Sequence, residues 1–195
     1  MKRLGWYLTI MLAALTSAVM ATLGYQRWGL DFMLFPGVVL GLHVFLLSAW
    51  RIDLDLAQAT RHLFVSIALI SAGWHLAVRL YLMAFRELSA LSGLPVQLTD
   101  VSGPALVLAA LSGLAAGLPG GLAVGGALLT ATPSRLYWPI IWRAMLMGAL
   151  AGATAIVAHQ TVTGLNLGNF TAAVVLFFVW QSLVLLSLYS VVESD

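Results

Sequence analysis

The chain contains no cysteine, and only 8% of its 195 residues are charged. The first absence excludes disulfides, thiolate metal sites, iron–sulfur clusters and cysteine nucleophiles. The second is far below the roughly 25% charged residues of soluble domains. Carboxylates are missing from the interior of every apolar run, which removes paired-acid catalysis and an Asp or Glu proton relay across a bilayer. Neither H-E-x-x-H nor a phosphate-cradling glycine loop occurs. Ser92-Gly93 and Ser112-Gly113 offer serines in tight settings, but the last apolar run has no histidine to activate one. The nine Lys and Arg residues are scattered, with a formal net charge of +2, so no basic tract points to nucleic acid.

What the chain has in abundance is apolar surface, 62% of its residues. Six runs reach the ~20 residues needed to cross about 30 Å of hydrocarbon: about 6–25, 30–50, 62–85, 104–130, 139–159 and 170–191. They are continuous rather than alternating, so the backbone must satisfy itself by helix formation. The expected fold class is all-α, a polytopic integral membrane protein forming one transmembrane domain of six helices over 1–195, in a plasma or bacterial inner membrane. The opening MKR, an apolar run and SAVMA resemble a secretory signal, but the 18 residues from Trp6 to Leu23 exceed the usual ~7–15 of a signal core and predict a retained first span. With the N-terminus cytoplasmic, Lys2, Arg3, Arg51, Arg61, Arg135 and Arg143 fall inside and Arg27 and Arg86 outside, which places both termini in the cytoplasm. The match of LAALT (12–16) with LAALS (108–112) is too short to establish an inverted repeat.

Glycine recurs every fourth residue at Gly113, Gly117, Gly121 and Gly125. Four-residue spacing keeps them on one helix face, a groove without side chains where a second backbone can approach closely. The fifth run carries a matching row of Ala144, Gly148 and Gly152, which makes it the expected partner; an oligomeric contact is the alternative. Pro119 and Gly120 interrupt the fourth run, because proline removes one backbone donor and clashes with the carbonyl four residues back. The expectation is a broken fourth helix, either a kinked span or a re-entrant hairpin turning at 118–121; the distribution of arginines favours the kink.

Ionisable residues within apolar runs are functional candidates. His75 and Arg79 share a face of the third run, and Asp31 stands at a similar depth on the second, a set suited to an anionic or zwitterionic group. Snorkelling of Arg79 to the interface is the plain alternative. His43 lies mid-run among glycines and reads as a neutral histidine bonded to a carbonyl. His43 and His75 are also the nearest pair for axial ligation of a b-type haem, though their depths differ by roughly 7 Å. His62 and His159 fall at run ends and carry no assignment, and Arg51, Asp53, Asp55 and Arg61 form a short charged loop. The functional expectation is a small multi-pass subunit that forms a solute pathway or binding site inside a larger membrane complex, partnered by lipid and by another membrane protein or a second copy, with no cofactor. A scaffold subunit and a b-haem or quinone-linked redox subunit are the alternatives.

Overall fold

The computed structural model describes residues 2–93 and 102–193. Six helices account for nearly all of them: α1 (Lys2–Trp28), α2 (Phe35–Arg51), α3 (Leu56–Ser92), α4 (Gly103–Leu129), α5 (Tyr137–Gly164) and α6 (Asn169–Glu193). α1, α3, α4, α5 and α6 are long and apolar enough to cross a membrane. Each helix packs on the next in sequence and α6 packs back on α1, so the helices run up and down around a closed ring. An even number of antiparallel helices brings both chain ends to one face of the bundle, here called the terminal end; the opposite face is the distal end.

α2 departs from the expected 30–50. It begins at Phe35 and has 17 residues, against 25–37 in the others. Three local features stop α1 and delay α2. Gly29 adopts φ of 61°, which ends α1 in the left-handed region. Asp31 then accepts a hydrogen bond from the Met33 backbone N–H at 2.7 Å, an Asx turn. Pro36 follows in the first turn of α2, where its missing donor costs nothing. At about 1.5 Å per residue α2 is therefore roughly 15 Å shorter than α1. α3, by contrast, starts from a reciprocal cap, in which the Gln58 N–H donates to Asp55 Oδ1 at 2.8 Å and the Asp55 N–H donates to Gln58 Oε1 at 3.2 Å.

α4 is the most buried of the long helices and packs most extensively on α5, then on α3. Its seam with α5 is backbone on backbone. A methyl built on Gly113 would lie 2.6 Å from the Gly152 carbonyl oxygen, one on Gly121 would lie 2.7 Å from Gly148 Cα, and one on Gly117 would meet the Gly148 carbonyl itself. From the other side, a methyl on Gly148 would fall 2.6 Å from the Gly117 carbonyl oxygen, and one on Gly125 would press on the Ala144 methyl at 2.6 Å. Between α2 and α3 the approach is similar: Gly37 faces Ser71, and Gly41 faces Ile67 with 2.8 Å between a built methyl and its Cα.

α4 is helical without interruption from Gly103 to Leu129, with Pro119 inside it. The chain does not turn back at 118–121, so the re-entrant alternative is not realised and no unwound break occurs at Pro119 and Gly120. Packing accounts for this. Gly121 is pressed on α5, Gly120 on the Trp180 ring of α6, and the Pro119 carbonyl and Ala123 on Gly73 of α3. A helix held on three faces keeps its course through one lost hydrogen bond.

Gly117→Ala is expected to lower stability in detergent by about 1–3 kcal/mol, since neither backbone can yield without parting the seam. Gly5→Ala, on α1 where a built methyl meets nothing within 4 Å, should leave the melting temperature unchanged or slightly higher. Thermal unfolding followed by circular dichroism distinguishes the two; equal melting temperatures for both variants would contradict the seam.

Candidate functional site

The terminal half of the bundle is filled. Trp6 and Ile10 of α1, Leu40, Val44 and Leu47 of α2, Leu128 of α4, Ile140 of α5 and Val184, Leu185 and Leu188 of α6 belong to one buried cluster. At its centre Tyr189 is fully buried and reaches from α6 to α2, where its hydroxyl donates to the Val44 carbonyl at 2.9 Å and meets Ser48 Oγ at 2.8 Å. Trp6 stands edge-on to Tyr189 and to Trp50, with ring centroids 5.6 and 5.8 Å away, and the Arg51 guanidinium lies over Trp6. A second polar tie joins α3 to the end of α4: His62, fully buried, has Nδ1 2.7 Å from Thr130 Oγ1, and Arg61 Nη2 donates to the Thr130 carbonyl.

The distal half is less completely filled. Beside small buried clusters around Phe177 and Phe85, a partly open cavity of about 350 Å³ lies among α3, α4, α5 and α6. It is walled by Trp74, Ala77, Val78, Tyr81 and Leu82 of α3, by Gly113, Ala116 and Gly117 of α4, by Gly152, Ala155, Ile156 and His159 of α5, and by Leu176 and Trp180 of α6. Phe32 and Met33, from the turn that takes the place of the missing first turns of α2, complete it. Phe32 is held there on several sides. Its ring packs on Tyr25, Trp74 and Phe177 with centroids 4.9, 6.2 and 5.9 Å away, and the Trp74 indole N–H donates to its carbonyl at 3.0 Å. The cavity exists because small residues stand where large ones would fill it: glycine or alanine occupies every α4 position in the wall.

The chemistry of the wall is specific. It contains no Asp, Glu, Lys or Arg, so a charged guest would lie in a low-dielectric space without a counter-ion, at a cost of several kcal/mol. Its polar side-chain groups are the Tyr81 hydroxyl, the His159 imidazole and the indoles of Trp74 and Trp180. Trp74 is engaged with Phe32, whereas the Tyr81 hydroxyl and the His159 ring form no hydrogen bond among the described residues. An uncharged, mainly apolar molecule with one hydrogen-bonding end fits such a wall.

The residues singled out from the sequence lie elsewhere. Arg79 is exposed on the outward stripe of α3 with Leu76 and Met83, the position from which a long basic side chain snorkels. Asp31 is exposed and occupied by its own turn, and no ion pair joins it to Arg79. His75 is half-buried beside the cavity rather than in it, with Nδ1 buried and unpartnered. The structure does not bring His43 and His75 together. His43 turns towards α1: its Nδ1–H donates to the Val39 carbonyl at 2.9 Å, which leaves Nε2 to accept from the Thr16 hydroxyl at 3.1 Å. α3 lies against the other face of α2, the one carrying Gly37 and Gly41. Among the described residues no group of three or more metal-ligating side chains assembles.

In the sequence Tyr81 and His159 carry no functional assignment, and His159 reads there as a run end. A signal for the site was present nonetheless: Trp74 and Trp180 lie mid-helix, away from the interfacial belts where tryptophan concentrates in membrane proteins. Comparison with protein-family models, with curated proteins and with solved structures gives no match.

Trp74→Phe removes the one hydrogen bond from α3 to the 29–34 turn while keeping the ring. The expected result is a loss of about 1 kcal/mol in protection of that turn, seen as hydrogen exchange of the backbone amides at 32–35 about five-fold faster, with the α4–α5 seam unaffected. Unchanged exchange there would show that the stacked rings alone hold the turn.

Proposed function

We propose that this chain is an integral membrane protein that binds an uncharged, largely apolar small molecule through the distal cavity, as the binding subunit of a membrane assembly. The observation that carries this reading is the chemistry of the cavity wall: aromatic and aliphatic, without Asp, Glu, Lys or Arg, with Tyr81 and His159 forming no hydrogen bond among the described residues. All six helices cross the bilayer in this reading, the 29–34 turn completing the second crossing, and both termini face the cytoplasm because the basic residues concentrate at the terminal end. Binding is favoured over an open pathway because the terminal half is closed by Tyr189 and the side chains around it. Asp31 and Arg79, at the distal surface, meet lipid headgroups rather than the ligand.

The redox alternative keeps one point of support. A quinone is uncharged, apolar along its tail and a hydrogen-bond acceptor at its ring, so it belongs to the ligand class the wall selects. Haem has less support, since His43, one of its two candidate ligands, is engaged with Val39 and Thr16 on the α1 side of α2.

The test uses three ligands of equal chain length, a medium-chain alcohol, the corresponding carboxylate and the corresponding ammonium, titrated into the purified chain in detergent with tryptophan fluorescence as the readout. The alcohol is expected to bind and the two ions to bind at least tenfold more weakly. Leu176→Trp, which fills the cavity from α6, should abolish the response, and His159→Ala should weaken it by about five-fold through loss of one hydrogen bond. Equal binding of all three ligands, or a response unaltered by Leu176→Trp, would remove the cavity from consideration.

A further inference from the structure

A second concave surface lies at the terminal end, on the outside of the bundle. It is a groove of about 500 Å³ lined by Leu4, Tyr7, Leu8 and Met11 of α1, by Met147 of α5, and by Leu183, Leu186, Ser187 and Ser190 of α6. The positions it covers on α1 and α6 run over 4–11 and 183–190, about 10 Å along each axis. Its walls are leucine and methionine, with Tyr7 on the α1 side and the two serines of α6 towards the terminal end. Arg143 is placed there. One turn before Met147 on α5, it reaches across to α6, where Nη1 donates to Ser190 Oγ at 2.7 Å and to the Ser187 carbonyl at 3.4 Å. Ser190 in turn donates to the Ser187 carbonyl at 2.7 Å. The guanidinium is thus fixed at the mouth of the groove by one of its nitrogens. Its other N–H groups have no acceptor among the described residues, and no carboxylate pairs with it. Lys2 and Arg3 open α1 at the same end, one turn ahead of Tyr7.

The geometry points to a phospholipid with an anionic headgroup as the occupant of this groove, its phosphate on Arg143 and one acyl chain laid between α1 and α6 towards the middle of the bundle. The inference rests on the membrane reading above but not on the cavity. Charge complementarity carries it. A shallow apolar trough about 10 Å long, room for the headgroup-proximal part of an acyl chain, ends at a cation that is oriented by two oxygens of the next helix and left with free donors in the fork geometry that phosphate oxygens accept. A zwitterionic lipid offers the same chain but a headgroup whose own ammonium competes for the phosphate. Surrounding basic residues add roughly equal, non-directional attraction for any anionic surface, so the discriminating contact is Arg143.

The experiment reconstitutes the full chain into nanodiscs of a zwitterionic phospholipid, with and without a fraction of phosphatidylglycerol, and follows thermal unfolding as that fraction is titrated. The midpoint is expected to rise with phosphatidylglycerol. Arg143→Gln should require about tenfold more of it for the same rise, since a charge-assisted hydrogen bond is lost. Ser190→Ala, which removes the serine acceptor but keeps the charge, should respond nearly as the unaltered chain does. Inorganic phosphate added to zwitterionic nanodiscs should give no rise. The proposal is overturned if Arg143→Gln responds as the unaltered chain does, if phosphatidylglycerol raises no midpoint, or if inorganic phosphate alone reproduces the effect. Failure of the membrane reading is separately visible, because the chain would then not float with vesicles of any composition.

Discussion

The close contact of two backbones along α4 and α5 is the constraint on which the rest of the bundle depends. In a bilayer the apolar effect does not drive helices together, so association rests on van der Waals contact and the few polar ties available. Here Gly113, Gly117 and Gly121 face Gly152, Gly148 and Ala144, with no room at these points for a methyl group. That approach fixes the separation and the register of α4 and α5 together, because sliding one helix by a residue would set a side chain against a carbonyl. With α4 so fixed, its remaining faces determine the neighbours: Gly73 places α3, and Gly120 admits the Trp180 ring and so places α6. The proline at 119 lies in the middle of these contacts, which is why it costs a hydrogen bond without ending the helix.

The same small residues that bring α4 and α5 together leave the distal half underfilled. A wall of glycine and alanine on one side, and a neighbouring helix shortened to 17 residues on the other, cannot between them fill the space enclosed by the ring. The terminal half has the same ring but is closed by large side chains, and its tyrosine is used differently. Tyr189 spends its hydroxyl on Val44 and Ser48, tying α6 to α2, whereas Tyr81 has no such neighbour and its hydroxyl remains available. The contrast between a satisfied and an unsatisfied phenol, one helical half apart, separates a structural polar group from one with capacity to bind.

Much of the architecture is legible in the chain itself. Uninterrupted apolar runs compel helices, their number sets an up-and-down ring, and the four-residue spacing of glycine in the fourth and fifth runs marks the positions at which those two helices touch. The limits of legibility are local. The start of α2 is set by Gly29 and the Asx turn at Asp31, and hydropathy does not register either, since Leu30 and Phe32 read as part of the run. The course of α4 through Pro119 depends on three neighbours that only the fold supplies. The cavity is hard to read from the sequence for a related reason: charge in an apolar run draws attention to Asp31, His75 and Arg79, whereas the residues that line the cavity are neutral, and only Trp74 and Trp180 at mid-helix hint at it.

The arginines are disposed differently at the two ends of the bundle. At the terminal end Arg51 lies over Trp6, Arg61 donates to the Thr130 carbonyl and Arg143 to Ser190, so each crosses to a neighbouring helix and each is oriented by it. At the distal end Arg79 stands on the outward stripe, and the cavity beside it has no cation at all. Charge therefore stands at the ends and on the outer surface and is absent from the cavity wall, where it would go unpaired, a separation in keeping with the desolvation penalty of several kcal/mol per ion. One consequence is that the distal cavity and the groove between α1 and α6 differ in the charge of their surroundings. Under the two proposals above, the groove at the terminal end takes an anion through an oriented guanidinium and the distal cavity takes an uncharged molecule, so a molecule suited to one is disfavoured in the other.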